Sequence, residues 1–315
     1  MLQTPTSEIT IALPADMPSQ GHVALTHWGV IRAVGVDAAS FLQGQLTQDV
    51  TTLDAHHARW AGYCSAKGRL LATFLVWRPA PDEFLLACSA DILAATLKRL
   101  SMFVLRAQCK LSDATATVGL VGRWHSGSTG ITDDTPMGIV DDVIRLMTVN
   151  GHRRELSFGQ SPQDADDPLA LTAWRWLDVG SGVPCVVLAT VDAFVPQMVN
   201  LELVGGVSFK KGCFPGQEVV ARSQYRGTLK RRMHVFLGAQ AMNAGDEVFH
   251  VGDASQPVGT VVNAATLGAS HLALVSLKLS ALDPVNPTHL ALGSVDGALL
   301  VQQPPPYPVP AEAVD

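Results

Sequence analysis

The amino-acid sequence predicts an α+β protein that ends in a small antiparallel β-barrel. Between residues 28 and 111, apolar alternation and helical spacing follow the order strand, helix, two or three strands, helix, strand. This order is typical of a split βαβ, or ferredoxin-like, unit. After Arg232, short apolar segments of even spacing are separated by turns rich in Gly, Asn, Asp and Pro. That pattern predicts a barrel of short strands.

The N-terminal half is predicted from its periodicity and its helix-capping residues. Residues 1–20 are expected to form a loose tail. The elements expected after the tail are a strand at 28–36, a helix at 38–46 capped by Asp37, strands at 58–64 and 70–77 around the turn Ala66-Lys67-Gly68, a strand at 84–88, a helix capped by Asp91 and ending at Leu100, and a strand-like segment at 103–111.

The middle of the chain predicts a second α+β unit. The polar stretch 122–135 indicates a boundary or a long loop, and strands are expected at 138–148 and 154–158. Asp167 and Pro168 predict a helix start, because Asp caps a helix well and Pro suits its first position. That helix should run to about Val179 and stop at Gly180-Ser181-Gly182.

These elements suggest a division of the chain into domains. The predicted parts are a tail at 1–20, a ferredoxin-like α+β domain at 21–112, a second α+β domain at 113–195, a bridging segment at 196–230, the barrel at 231–303 and a proline-rich tail at 304–315. The barrel strands are expected at MHVFLG, DEVFHV, PVGTVVNAA, HLALVSL, LALGSV and ALLVQQ.

Composition narrows the class of protein. The chain has 315 residues, 47% of them hydrophobic, and a formal net charge of −6. An acidic protein is not a general nucleic-acid coat, so any polyanion site must be a local patch. The five cysteines show no CxxC spacing, which favours a reducing compartment. With no secretory signal expected and no apolar stretch long enough to span a bilayer, we predict a cytoplasmic protein without a membrane partner.

Positive charge is concentrated in residues 200–232, which contain two acids, Glu202 and Glu218. The basic residues of this segment are Lys210, Lys211, Arg222, Arg226, Lys230, Arg231 and Arg232. Cys213 lies between Gly212 and Gly216. The two lysines before it and the predicted helix start after it would both stabilise a thiolate. A small buried hydrophobe is the alternative for this cysteine.

The same segment carries a family resemblance. Residues 211–218, KGCFPGQE, followed by Arg222, resemble the signature K-G-C-[FY]-x-G-Q-E-x-x-x-[RK] of the YgfZ family. These are folate-binding proteins linked to iron–sulfur cluster maintenance and tRNA modification, and they are related to the aminomethyltransferase (T-protein) of the glycine cleavage system. The family's other motifs are matched by Gln43–Val50, by Ala66-Lys67-Gly68-Arg69, and by Pro196-Gln197 with Asn200-Leu201.

The resemblance implies a T-protein-like three-domain ring around a central cavity that accepts tetrahydrofolate or a folate derivative. Trp28 and Trp174 fall where the family places two indoles in the folate site, and a flat pterin stacks well on indole. The implied folate-binding residues also include Lys211, Gln217, Glu218 and Arg222, and Cys213 is the implied functional thiol. No metal site is expected. Iron–sulfur enzymes or cluster-assembly proteins are the implied partners, with tRNA as a further candidate.

One departure from the transferases bears on activity. They carry an Asp-Asp pair soon after a hairpin glycine, whereas Gly68-Arg69-Leu70 is followed here by Leu71 and Ala72. These side chains cannot move a proton or orient a pterin nitrogen. The prediction is therefore a folate-binding accessory protein, not a conventional enzyme.

Two alternatives stay open. One is a folate-dependent one-carbon or aminomethyl transferase in which Cys213 or Glu218 replaces the missing carboxylate. The other is an RNA-binding module that uses the basic patch at 222–232, although three charges at a strand start, here Lys230-Arg231-Arg232, are more often a solvated face. His56-His57 and Asp141-Asp142 are interpreted as surface residues.

Overall fold

The structure is a computed structural model that describes residues 11–127, 136–159, 167–225, 229–253, 255–282 and 289–310. The strands are β1 (Gln20–Ala24), β2 (Trp28–Val34), β3 (Ala58–Cys64), β4 (Leu70–Ala80), β5 (Glu83–Ser89), β6 (Lys110–Asp113), β7 (Leu120–Ser126), β8 (Ile139–Val140), β9 (Val143–Val149), β10 (His152–Phe158), β11 (Arg231–Gly238), β12 (Glu247–His250), β13 (Gly259–Leu267), β14 (Ser270–Lys278), β15 (Leu290–Leu292) and β16 (Leu299–Gln302). The helices are α1 (Ala38–Gln43), α2 (Ala90–Ser101), α3 (Pro168–Gly180) and α4 (Gln217–Tyr225), with short 3₁₀ turns at Leu188–Thr190, Pro196–Val199 and Leu279–Ala281.

The first sheet has the strand order β3-β4-β5-β2-β6. With α1 after β2 and α2 after β5, this is the split βαβ arrangement that the sequence predicts, extended by β3 at one edge. The strand-like segment expected at 103–111 is wrong in most of its length, since the chain turns there and β6 begins only at Lys110. Leu105 has a φ of +47° and an exposed side chain, so its apolar character is not buried in a strand.

The second sheet has the order β1-β7-β10-β9-β8. β7 occupies the start of the stretch expected to be a loop, because it pairs with both β1 and β10, and residues 128–135 lie outside the described part. The strand expected at 138–148 is a hairpin of β8 and β9 instead, with Asp141 and Asp142 turning at positive φ.

The N-terminal region is not a loose tail from residue 11 onward. Ile11 is buried, and its backbone N–H and C=O both pair with the side chain of Asn150 at the β9–β10 turn. This contact fastens residue 11 to the second sheet.

The barrel closes in the order β11-β14-β13-β12-β15-β16, and all six predicted strands are present. Its interior is filled by apolar side chains that include Phe236, Val248, Val261, Val275 and Leu290. α3 packs against β1 on one side and against β13 and β14 of the barrel on the other. Asp167 caps α3 as predicted, since its side chain accepts a hydrogen bond from Leu169 N.

The C-terminal segment returns to the end of α3. Tyr307 donates a hydrogen bond of 2.8 Å to the carbonyl of Gly182, and a Cβ on Gly182 would lie 2.4 Å from Pro306. In the described ranges, no helix combines the length and apolar character needed to cross a membrane. The division into domains stays a prediction.

Candidate functional site

A cavity of about 420 Å³ lies where the first sheet, the second sheet, α3 and the barrel meet. Its volume falls within the range of about 300–1,000 Å³ that is typical of small-molecule sites. Trp28, Trp60 and Thr73 line it from the first sheet, and Ala264 lines it from the barrel. The charged residues of the wall, together with its histidine, are His27, Asp91, Arg154, Arg175 and Asp178.

Asp178, near the end of α3, lies beside two of the other groups, Arg154 and His27. Its Oδ1 accepts a hydrogen bond from Arg154, and its Oδ2 lies 3.8 Å from Nε2 of His27. Arg154 comes from β10 and is almost completely buried. Burial lowers the pKa of Arg154, and the carboxylate of Asp178 opposes that shift. A buried guanidinium requires such a partner, so Asp178 and Arg154 act as one unit.

His27 retains unused hydrogen-bonding capacity. Its Nδ1 is buried and has no hydrogen-bond partner among the described residues. The ring packs edge-on against Trp28, with centroids 6.3 Å apart. Because an unsatisfied buried nitrogen is unfavourable, this atom is suited to a ligand or a water molecule inside the cavity.

The two tryptophans expected at the folate site occupy different environments. Trp28 lines the cavity beside Trp60, with ring centroids 6.3 Å apart. Trp174 is 0% exposed and does not line the cavity. The guanidinium of Arg154 lies 4.7 Å from its ring centroid, and a Cβ on Gly122 would lie 2.6 Å from the same ring. Because Trp174 is fully buried and lies outside the cavity wall, the two indoles do not face a common space in this structure.

Two other polar residues of the wall, Asp91 and Asn263, hold the wall itself together. Asp91 was expected to cap α2 but lies in its first turn, where it accepts hydrogen bonds from the Ser89 hydroxyl (2.7 Å) and from Leu188 N (2.9 Å). The amide of Asn263 pairs with the backbone N–H (2.8 Å) and C=O (2.7 Å) of Cys185.

Two cysteines, Cys88 and Cys185, also line the cavity. Burial raises the pKa of the Cys185 thiol to about 12 and raises that of Cys88 as well. Both therefore stay neutral thiols near neutral pH, and they contribute apolar surface rather than nucleophiles.

The KGCFPGQE segment, residues 211–218, forms a second candidate site outside the cavity. Lys211 is buried and donates hydrogen bonds to the backbone carbonyls of Gln43 and Leu46, at the end of α1 and just beyond it. Its Nζ lies 5.2 Å from the ring centroid of Phe214. Burial lowers the pKa of Lys211 to about 8, and the nearby Asp49 carboxylate opposes that shift. The ammonium group of Lys211 is therefore already bonded to backbone groups of the protein itself.

Two glycines allow the hairpin turn between β3 and β4 to touch this segment. Gly216 has a φ of +77°, and a Cβ there would lie 2.4 Å from both Ser65 O and Gly68 N. Gly68 has a φ of +71°, and its own Cβ would lie 2.8 Å from the side chain of Val219. Such close backbone contact requires glycine on both sides.

The motif at 196–201 contacts α4 and β11 through side-chain hydrogen bonds. Gln197 is fully buried, and its Nε2 donates a 2.9 Å hydrogen bond to Val220 O in α4. Asn200 pairs through its side chain with both backbone groups of Met233 in β11. Motifs at 43–50, 66–69, 196–201 and 211–218, which are far apart in sequence, therefore meet around α4.

The remaining residues of the signature lie at the surface. Cys213, Glu218 and Arg222 are exposed, and Gln217 is half-buried as the first residue of α4. Neither these residues nor Lys211 lines the cavity. The sequence predicted a single constellation of Trp28, Trp174 and the signature residues, and the structure does not bring them together.

The basic patch at 222–232 is smaller than the sequence indicates. Arg232 is buried and forms an ion pair with Glu202, and Arg231 donates a 3.1 Å hydrogen bond to Val258 O. Arg226 lies outside the described residues. Arg232 consequently cannot contact RNA phosphate, and RNA binding through the rest of the patch stays a prediction.

Comparison with known proteins identifies the family. The chain is 32% identical over 266 residues to the tRNA-modifying protein YgfZ of Edwardsiella ictaluri, which covers 77% of this chain and 80% of that relative. It is 30% identical to the protein of the same name from Vibrio vulnificus, over 72% of this chain and 73% of the relative. The chain belongs to the YgfZ family. No protein-family model matches it.

A solved structure supports the fold of this YgfZ family member. The glycine cleavage system aminomethyltransferase T from Bartonella henselae superposes with a TM-score of 0.67, over 91% of this chain and 86% of that one. The sequence identity is 15%, so the likeness concerns the fold alone. It confirms the predicted T-protein-like architecture.

Sequence reasoning missed the polar side of the cavity. Asp178 follows an apolar run on α3, where a single carboxylate signals either a ligand contact or a buried ion pair, and that signal could have been used. Arg154 could not be recognised as its partner, because the two residues come from different elements of the second unit. His27 and Trp60 carry no local pattern that separates cavity residues from core residues.

Proposed function

We propose that this YgfZ family member is a tetrahydrofolate-binding accessory protein that supports iron–sulfur cluster assembly or repair and, through iron–sulfur enzymes, tRNA modification. The observation that carries the folate assignment is the cavity, whose wall combines two indoles with the Asp178–Arg154–His27 cluster. The relatives are named tRNA-modifying proteins, which supports the assignment to tRNA modification.

The residues of the cavity fit a reduced pterin. Trp28 and Trp60 offer aromatic surface for a flat heterocycle. The Asp178 carboxylate, positioned by Arg154, can accept hydrogen bonds from the amino and ring N–H groups of a pterin, and the unpaired Nδ1 of His27 can serve another polar atom of the ligand. Bound tetrahydrofolate supplies nitrogens that carry one-carbon units.

The cavity lacks a carboxylate on β4, after the hairpin glycine, where the related transferases carry an Asp-Asp pair. Ala72 is fully buried, and β4 lines the cavity with Thr73, whose hydroxyl accepts a 2.9 Å hydrogen bond from Val186 N. This hydroxyl is therefore committed to the backbone. An accessory role, in which the protein holds folate without conventional turnover, follows more readily than an aminomethyl transfer.

Cys213 provides the group that meets a client. It is exposed on a loop fixed by Lys211 on one side and by the Gly216–Gly68 contact on the other. A thiol on such a rigid loop can reach a sulfur or a cluster in another protein, and one thiol cannot hold a cluster alone. Folate and client would therefore be served at two different places on one molecule.

Complementation tests this assignment. In cells that lack the protein, wild type should restore the activity of an iron–sulfur enzyme that modifies tRNA, and Cys213→Ser should not. Cys109→Ser is the matched control, because Cys109 is half-buried on another part of the chain and should leave rescue intact. Full rescue by a folded Cys213→Ser protein would show that the thiol is not required.

A further inference from the structure

We propose that Arg175 binds the glutamate tail of the folate, so that the protein selects folates over pterins that lack the tail. This inference rests on the proposed folate function and deepens it. No sequence motif points to Arg175, and it is absent from the resemblance described above.

Arg175 is the available positive charge of the cavity. Arg154 is buried and paired with Asp178, and the carboxylate of Asp91 is used by Ser89 and Leu188. Arg175 is exposed, and no hydrogen bond or ion pair joins it to another described residue. Among the charged groups of this wall, it is the cation that remains free for a ligand.

The position of Arg175 on α3 fits the open side of the cavity. Arg175 and Asp178 are three residues apart and both line the cavity, so they share a helix face with Cβ atoms about 5–6 Å apart. Asp178 is partly covered, whereas Arg175 reaches into solvent. A ligand whose pterin meets Asp178 would therefore leave the cavity past Arg175.

The chemistry of folate requires such a group. The glutamate tail carries carboxylates, which lose hydration if they stay near the apolar wall without a partner. A guanidinium can bind a carboxylate with two parallel hydrogen bonds, and such charge-assisted contacts are stronger than neutral ones. A tail-free pterin cannot form this contact.

Two ligands and matched variants test the inference by equilibrium titration of the full-length protein. Wild type should bind tetrahydrofolate about tenfold more tightly than a methyl-tetrahydropterin without a tail, as expected for loss of one charge-assisted contact. Arg175→Ala should remove this preference by weakening tetrahydrofolate alone, and Arg175→Lys should keep part of it. Arg106→Ala is the control, because Arg106 is exposed on the turn between α2 and β6, away from the cavity wall.

The outcomes separate this inference from the proposed function. Unchanged tetrahydrofolate affinity in Arg175→Ala, or an equal loss for both ligands, would overturn the role of Arg175 while leaving folate binding intact. Failure of wild type to bind either ligand would overturn both proposals together.

Discussion

Arg154 is a buried arginine whose charge is balanced, among the residues that the structure describes, by the carboxylate of Asp178. Removing that carboxylate leaves the guanidinium uncompensated, a change that typically costs about 3–5 kcal/mol. We predict that Asp178→Ala lowers the free energy of unfolding by about 3 kcal/mol in urea denaturation. Arg175→Ala, one turn earlier and exposed, should change it by less than about 0.5 kcal/mol. Equal stabilities for the two variants would contradict the ion-pair account.

Lys211 predicts a pH dependence. Its pKa is lowered to about 8 in the folded protein, so between pH 8 and its unfolded value of 10.5 the unfolded chain binds more protons. Stability therefore rises with pH in that window. We expect the stability of wild type relative to Lys211→Met to increase from about pH 7 to about pH 9.5. Urea denaturation at the two pH values measures this change, and a constant or falling difference would contradict it.

Single residues show the limit of inference from sequence. The sequence identifies Trp28 and Trp174 equally well, but one lines the cavity and the other is covered by Arg154 and Gly122. Burial depends on contacts between distant elements, and a tryptophan has the same local pattern in either environment. The exposure of Cys213 likewise depends on where its loop lies in the folded protein, and the neighbouring residues in the sequence do not reveal it.

At the scale of elements, the contact between the β3–β4 turn and the start of α4 depends on Gly216. A Cβ there would lie 2.4 Å from two backbone atoms, and the φ of +77° disfavours any other residue. We predict that Gly216→Ala lowers the free energy of unfolding by about 1–3 kcal/mol. Gly212→Ala is the matched control on the same loop, because nothing lies within 4 Å of its Cβ. If both substitutions have the same effect on urea denaturation, the close approach does not matter for stability.

Elements were predictable where local pattern and tertiary burial agree. The six barrel strands are short apolar segments separated by turn residues, so their positions follow from sequence. β7 was missed because its stretch is rich in polar residues and glycine. Position 122 must be glycine because the ring of Trp174 leaves no room for a Cβ there. No local sequence pattern reveals that contact.

At the scale of the whole molecule, the protein separates a central cavity from the exposed thiol of Cys213. The family motifs meet around α4 and fix the loop of Cys213. This separation predicts that variants of the cavity and of the loop change different properties of the protein. The central claim is therefore that folate binds in the cavity independently of Cys213.

Titration with tetrahydrofolate, followed by tryptophan fluorescence, tests this claim most directly. We predict saturable binding to wild type, a loss of about tenfold in affinity for Trp28→Leu through the missing stacking surface, and unchanged affinity for Cys213→Ser. Wild-type affinity in Trp28→Leu together with a marked loss in Cys213→Ser would contradict the account, because folate would then bind at the loop of α4 and not in the central cavity.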